Sequence, residues 1–556
     1  MAEGNNVRNT TLFAMLASGF TTLVVFAISL IFEVILRDPI ISEALIKIII
    51  YIVFISILFV LVPLITGVHT KPISKAREIA KLALLTYILS SASVAVFLSL
   101  TTEMIDYDSL AEENIYTKKL IERGSSCTFD LKESFFDTVS GFTTTGLTAF
   151  RKTGTFIDGK EISKIDAQPM LIHVVRASYL WIGGLGIIFF YLFFTPISSL
   201  AMSVGYEIPA RKSHPLSIRK EGLYILWIYI LATIVGVSLL SHSISSAQPW
   251  ADNETVLSYS VVLTFSSIST GGFSPGSAPL DEIPYPLINN WSLLVIMGLM
   301  FAGAMPIFSL HRTSKFFRWR IFAVFLFPIF VVAAVSYFED GSQVSLHRSF
   351  DALSAFTTTG LYTSQFVEDS EIRWISEDKG YGEEPEKEMI RESYRYRFRC
   401  IYLIMLMFIG GAAYSTAGGF GFSNAIHFIR QTVYLFYGTR KRIRRVLMDY
   451  FNEMSVFLLF LLVFATGTLL CYISGLFGIF SSEGSTTITY RLINSAFYEI
   501  SALSTVGLMP DSMLLNDGIY YHNLVYWTLI VSMLIGRLYR ILYLIPLFLR
   551  SPKEVT

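Results

Sequence analysis

Threonine, serine and glycine are residues that can surround a bare cation with neutral oxygens, and this chain gathers them into one phrase four times. The copies are Ser140-Gly-Phe-Thr-Thr-Thr-Gly146, Ser266-Ser-Ile-Ser-Thr-Gly-Gly272, Ser354-Ala-Phe-Thr-Thr-Thr-Gly360 and Ser501-Ala-Leu-Ser-Thr-Val-Gly507. Leu147, Phe273, Leu361 or Leu508 follows each. A cation that sheds its water needs oxygens at short range, and rings of backbone carbonyls supply them without fixed charge. Turning successive carbonyls inward asks for backbone angles that glycine adopts at little cost. The candidate ligands are therefore Thr143, Thr144, Thr145 and Gly146; Ser269, Thr270, Gly271 and Gly272; Thr357, Thr358, Thr359 and Gly360; and Ser504, Thr505, Val506 and Gly507. Hydroxyls before each glycine add oxygens and can tie the turn to the helix that precedes it. One such phrase is ordinary turn vocabulary. Four copies imply quasi-equivalent elements around one axis.

Such turns need a scaffold, and composition says where it sits. Of 556 residues, 53% are hydrophobic and 15% charged, against roughly 25% charged in soluble domains. Apolar runs near 20 residues recur, each long enough to cross ~30 Å of hydrocarbon. Basic and acidic residues number 43 each, so no bulk attraction to nucleic acid is implied. Met1 to Thr10 carries one arginine and no small-residue cleavage pattern, so residues 12–36 read as a retained helix rather than a cleaved leader. Cys127, Cys400 and Cys471 make no metal motif, and spacing leaves a Cys127–Cys400 disulfide open.

Ten spans are expected: two at about 12–36 and 44–66, then 78–100 with 170–199, 222–244 with 288–311, 319–338 with 398–436, and 450–476 with 521–549. Each of the last four pairs encloses one copy of the phrase. The segment before each copy is short, and about twelve helical residues rise only ~18 Å, too little to span. The expected fold is an all-α polytopic membrane protein. Four pseudo-symmetric helix–re-entrant pore loop–helix repeats surround one central pore, with two N-terminal helices added. The units are an N-terminal hairpin at 1–70 and repeats at 71–205, 206–315, 316–445 and 446–556. Irregular backbone inside a bilayer survives only where protein shields it or water lines it, and a shared axis satisfies that for all four loops.

Lysine and arginine set the orientation. Basic clusters at Lys71 to Lys81, Arg211 to Lys220, Arg312 to Arg320 and Arg440 to Arg445 alternate with acidic segments. Glu103 to Glu133 holds eight acidic residues against four basic, and Glu368 to Arg397 ten against six. The positive-inside rule puts the basic loops and both termini in the cytoplasm, with the short helices entering from outside. The acidic segments either concentrate cations at an outer mouth or simply solvate their loops.

The third inner span is too long and reads Gly410-Gly-Ala-Ala-Tyr-Ser-Thr-Ala-Gly-Gly-Phe-Gly421. Five glycines weaken a helix by roughly 0.8–1 kcal/mol each, so a break is expected. The segment serves either as a movable plug or as a small-residue packing face. Arg537 falls deep in the fourth inner span, where an unpaired charge costs ~2.5 kcal/mol or more. Its expected partners are carbonyls of Ser415, Thr416, Ala417, Gly418 and Gly419. Asp137, Asp351 and Glu499 lie eight or nine residues before a phrase glycine, placed to shape the local potential or to anchor the short helices. Trp181 reads as packing.

The four phrases, with WIGGLGII at 181–188 and MLIGRL at 533–538, resemble the Trk/Ktr/HKT superfamily, most closely its TrkH-type membrane subunits. The resemblance runs over nearly the whole chain from about residue 78. It implies a potassium-selective filter made by the four turns, and glycine at 146 implies potassium rather than sodium. It also implies that Ser415 to Gly419 belong to an intramembrane gating loop and that Arg537 is the gate arginine. The family commonly continues Gly-Arg-Leu with glutamate where this chain has Tyr539. It further implies a homodimer, a cytosolic ring of nucleotide-binding regulators, and potassium as substrate with no organic cofactor. Coupling to sodium or protons, and a sodium- or ammonium-conducting relative, remain alternatives. An embedded enzyme is the competing class, yet no HExxH pattern occurs. No GxGxxG unit occurs either, so nucleotide sensing would come from another polypeptide. The basic segments suit a regulator or anionic lipid.

Overall fold

The long helices keep apolar side chains on their outward faces, which a bilayer favours and water does not. The computed structural model describes residues 2–36, 76–194, 215–305, 346–366, 398–425, 457–473, 488–509 and 523–542, with short gaps at 151, 158–159, 250, 278, 282–287, 365, 412–414 and 422–424. Leu223, Trp227, Leu231, Ile234 and Leu239 stand exposed along the helix Pro215–Ala247. Thr11–Ile35, Lys81–Met104 and Leu223–Ala247 are each long and apolar enough to cross a membrane. Shorter apolar helices at Met170–Gly186, Asn290–Ala304, Phe398–Ile409, Phe457–Ile473 and Asn523–Leu538 fall on five further expected spans. The expected span at 44–66, that at 319–338 apart from residue 330, the basic segments at 312–320 and 440–445, and the acidic segment at 368–397 lie outside the described residues.

Four short helices lie between these: Leu131–Phe142, Asn253–Ser269, Leu346–Thr357 and Ile488–Leu503. Each ends at a copy of the repeated phrase. They hold 12, 17, 12 and 16 residues, so two exceed the expected length by about a turn. Asp130 starts the first with a capping box closed by Glu133, and Asp252 caps the second through the Thr255 amide at 2.9 Å. Almost every residue in their last two turns is buried.

The N-terminal helix Ala2–Leu36 packs on the first outer helix, Ala76–Met104, and on the first inner helix, Met170–Phe194. Thr21 meets Ser90 at 2.9 Å and Thr22 meets Ser93 at 2.8 Å, pairings that small hydroxyls make at close helix crossings. The helical class needs one addition. Strand β1 (Lys152–Ile157) pairs antiparallel with β2 (Lys160–Ser163). The sequence between them is Asp158-Gly159, a strong hairpin signal that helix-length reasoning passes over. Cys127, Cys400 and Cys471 are buried free thiols, so the disulfide left open for the first two is not formed. Burial pushes the Cys127 thiol up to about 11, which keeps it protonated and unreactive near neutrality.

Candidate functional site

Each short helix ends in the same way, and the residue responsible is a threonine. Thr144, Thr270, Thr358 and Thr505 have φ of 55°, 54°, 57° and 52°. Left-handed backbone at a β-branched residue is a true outlier, costing of order 1–3 kcal/mol. The next amide in each copy donates five residues back: Thr145 to Ser140 at 2.7 Å, Gly271 to Ser266 at 2.9 Å, Thr359 to Ser354 and Val506 to Ser501 at 2.8 Å. The threonine amides donate to Gly141, Ser267, Ala355 and Ala502. This is the Schellman ending, normally built on glycine. Four identical strained threonines point to a use for their side chains.

The glycine that closes each phrase has positive φ too, 77° to 88°. Its second role is contact. A methyl group at Gly146 would overlap the carbonyl oxygen of Gly271, and one at Gly272 that of Thr359. Likewise Gly360 faces the carbonyl of Val506, and Gly507 that of Thr145. The four contacts run first to second, second to third, third to fourth and fourth back to first. The turns therefore form a closed ring in sequence order, with one main-chain oxygen lodged against each neighbouring glycine. The sixteen residues named from sequence lie in these turns or, for Ser269 and Thr357, at the last helical position before them.

Inner-helix glycines let the scaffold come this close. Side chains at Gly183, Gly303 and Gly536 would strike the carbonyls of Phe142, Ile268 and Leu503, equivalent positions ahead of the strained threonines. Outside the ring, Asp166 accepts from the Ser277 amide at 2.7 Å and hydroxyl at 2.6 Å. Asp281 takes the Ser364 amide and hydroxyl in the same way, at 2.7 and 2.5 Å. These carboxylates staple the exit of one turn to the next, and the sequence analysis did not single them out.

The acids on the short helices serve as anchors in two cases. Asp137 receives Nε and Nη2 of Arg176 at 2.9 and 2.8 Å, and the Tyr179 hydroxyl as well. Asp351 accepts the Thr363 amide at 2.9 Å and hydroxyl at 3.0 Å, fastening the exit strand to its own helix. Removing one partner of a buried pair leaves the other charge stranded, at about 3–5 kcal/mol. Arg176→Ala should therefore lower the thermal midpoint of the purified protein sharply, which a melt monitored by fluorescence will measure. Trp181 packs as expected, stacked on Phe265 with its ring nitrogen 3.1 Å from the Thr233 hydroxyl.

The third inner helix stops at Ile409, and Gly410 turns with φ 64°. The Phe420 and Gly421 amides return to Phe408 and Ile409 at 2.9 and 2.7 Å, so the segment doubles back on the helix it leaves. Its middle meets the ring. Thr416 donates to the Gly303 carbonyl at 2.8 Å and touches the Thr270 hydroxyl at 3.0 Å. The Gly418 amide donates to the Thr358 hydroxyl at 2.6 Å, and Gly418 abuts the Ser504 carbonyl and Thr505 hydroxyl. Three of the four strained threonines thus face this one segment. Arg537, buried, donates to the Thr416 carbonyl at 2.6 Å and to the Gly183 carbonyl at 3.0 Å. Ser415, Ala417 and Gly419 are buried in the same segment; of the five expected carbonyls, Thr416 is the one to which the described arginine donates.

Among the described residues, no three His, Cys, Asp or Glu side chains gather as a metal cluster would require. The chemistry on offer is that of neutral oxygens and one guanidinium.

No family model matches the chain. Among curated proteins, an uncharacterized cation transporter of Methanocaldococcus jannaschii is 26% identical over 52% of this chain and 51% of its own length. The Trk system potassium uptake protein TrkH of Halomonas elongata is 27% identical over 42% of this chain and 47% of its own. TrkH of Vibrio parahaemolyticus is 25% identical over 75% of this chain and 80% of its own. The chain is thus similar in sequence to Trk-type potassium uptake proteins. It spans about half the length of the first of these relatives. The crystal structure of the potassium transporter TrkH from V. parahaemolyticus has the same fold, with TM-score 0.63 and 17% identity over 99% of this chain and all of the other.

Proposed function

We propose that this chain translocates potassium by selective permeation through the ring of four turns. What supports the reading above all is the closed cyclic contact, in which each glycine seats a main-chain oxygen of the next turn. Carbonyls so arranged replace the hydration shell of an alkali cation without fixed charge. The short helices end at the ring, and their carbonyl poles favour a positive ion. The repeats at 71–205, 206–315, 316–445 and 446–556 then act as four quarters of one pore. Both termini lie in the cytoplasm.

In this reading residues 410–421 form the gate below the ring, held by Arg537 and by the hydroxyls of the strained threonines. Thr358→Val keeps the branched shape and leaves the Gly418 amide without its acceptor, a loss of about 1–3 kcal/mol. Basal rubidium uptake should rise roughly tenfold, with the preference over sodium retained. The basic cytoplasmic segments suit a nucleotide-binding regulator ring, and a homodimer is the expected assembly. The deciding experiment is rubidium uptake into proteoliposomes, with voltage, sodium and proton gradients imposed separately. Uptake following voltage and the rubidium gradient alone supports a channel. Dependence on an imposed sodium or proton gradient supports symport. Equal passage of sodium would overturn the potassium assignment.

A further inference from the structure

Three short helices carry an acid about two turns before the ring glycine, and their surroundings differ. Asp137 is ion-paired and Asp351 takes two hydrogen bonds from Thr363. Glu499 is 0% exposed, yet its Oε1 accepts one bond, from the Ser532 hydroxyl at 2.6 Å. Its Oε2 meets no hydrogen-bond partner among the described residues. The neighbouring outer helix gives way to it, because a methyl group at Gly467 would overlap the carboxyl. Among the described residues, facing it are Ser532 from the inner helix, Gly467 from the outer helix, and the thiol of Cys471, also on the outer helix. Among the described residues, no lysine, arginine or histidine pairs with it.

A buried carboxylate without a cation is disfavoured, and the neutral acid is the form such surroundings accept. We propose that Glu499 is a proton-binding site that makes cation passage depend on pH. It holds a proton in the conformation described. It releases that proton to water when hydration reaches the fourth short helix, leaving a carboxylate whose charge attracts a cation in the turn ahead. The helix continues four residues past Glu499 to Leu503, a rise of ~6 Å, and with the turn to Gly507 added the charge stands on the order of 10 Å from the ring. At this range, in an effective dielectric near 20, it alters cation occupancy about tenfold. The proposal rests on the potassium-translocation reading above, and adds the proton as a second ligand.

The test is Glu499→Gln, which fixes the neutral form. The full chain is reconstituted, rubidium uptake is followed from pH ~6 to ~9, and protonated carboxyls are titrated by infrared spectroscopy. Wild-type uptake should rise by up to about tenfold with pH while one carboxyl band fades over the same interval. E499Q should show uptake with a flat profile and lack that band. An E499Q spectrum with the wild-type titration, or an unchanged pH profile, overturns the proposal. Should E499Q fail to fold, Ser532→Ala removes the donor that favours the ionised acid and should move the band's midpoint to higher pH. An unmoved midpoint overturns the proposal as well. Wild-type protein that carries no rubidium at any pH refutes the transport reading, while the band titration still decides the proton site.

Discussion

Gly360→Ala should reduce rubidium uptake by about 100-fold, whereas Gly298→Ala should leave it unchanged. At Gly360 the added methyl has nowhere to go. It would overlap the Val506 carbonyl oxygen, and the backbone there sits at φ 87°. Left-handed geometry costs an alanine roughly 1–2 kcal/mol, and the carbonyl can yield only by leaving its place in the ring. Together these come to about 3 kcal/mol against cation binding, which is roughly two decades of rate. Gly298 lies within Asn290–Ala304 with nothing near its missing side chain. Alanine there improves helix propensity by ~1 kcal/mol. The comparison separates ring geometry from glycine content. Equal uptake by the two variants would contradict the permeation reading.

Arg537→Ala should have the opposite sign, raising basal uptake about tenfold or more. The guanidinium ties the Thr416 carbonyl of the doubled-back segment to the Gly183 carbonyl of the first inner helix. Hydrogen bonds from a charged donor contribute about 1.5–3 kcal/mol each, so losing the first frees the segment by one to two decades. Arg537→Lys should fall between, since an ammonium is a point charge and lacks the planar fork that reaches two carbonyls at once. The measurement is uptake without added regulator, beside a thermal melt. A variant that melts early but keeps wild-type basal uptake would make Arg537 a strut rather than part of a gate.

The four turns were legible because their chemistry is local. Each phrase contains the residues that its own backbone needs, and the repetition removes the ambiguity of a single copy. The reading nonetheless gave the unusual backbone angle to the glycine alone. Position two of the quartet is always threonine, at 144, 270, 358 and 505, a constancy that was the available clue to the second left-handed residue. The break at Gly410 was legible from glycine density, and the link from Arg537 to the segment from the cost of a buried charge. The other partners of Thr416, and those of Gly418, were not. They lie 60 to 148 residues away in sequence, and no local pattern encodes which helix end meets which loop. Asp137 and Asp351 look alike in sequence. Only the fold brings Arg176 to one and Thr363 to the other.

Gly183, Gly303 and Gly536 interlock with the ends of three short helices so tightly that no side chain fits between. Such a joint resists twisting, because turning any of those inner helices about its own axis would drive its flanking residues into the neighbouring backbone. On the permeation reading, an iris that widens by rotating its staves is therefore closed to this architecture. Conductance would on that reading be switched by withdrawing a dozen residues sideways, as a bolt slides from its socket while the frame stays still.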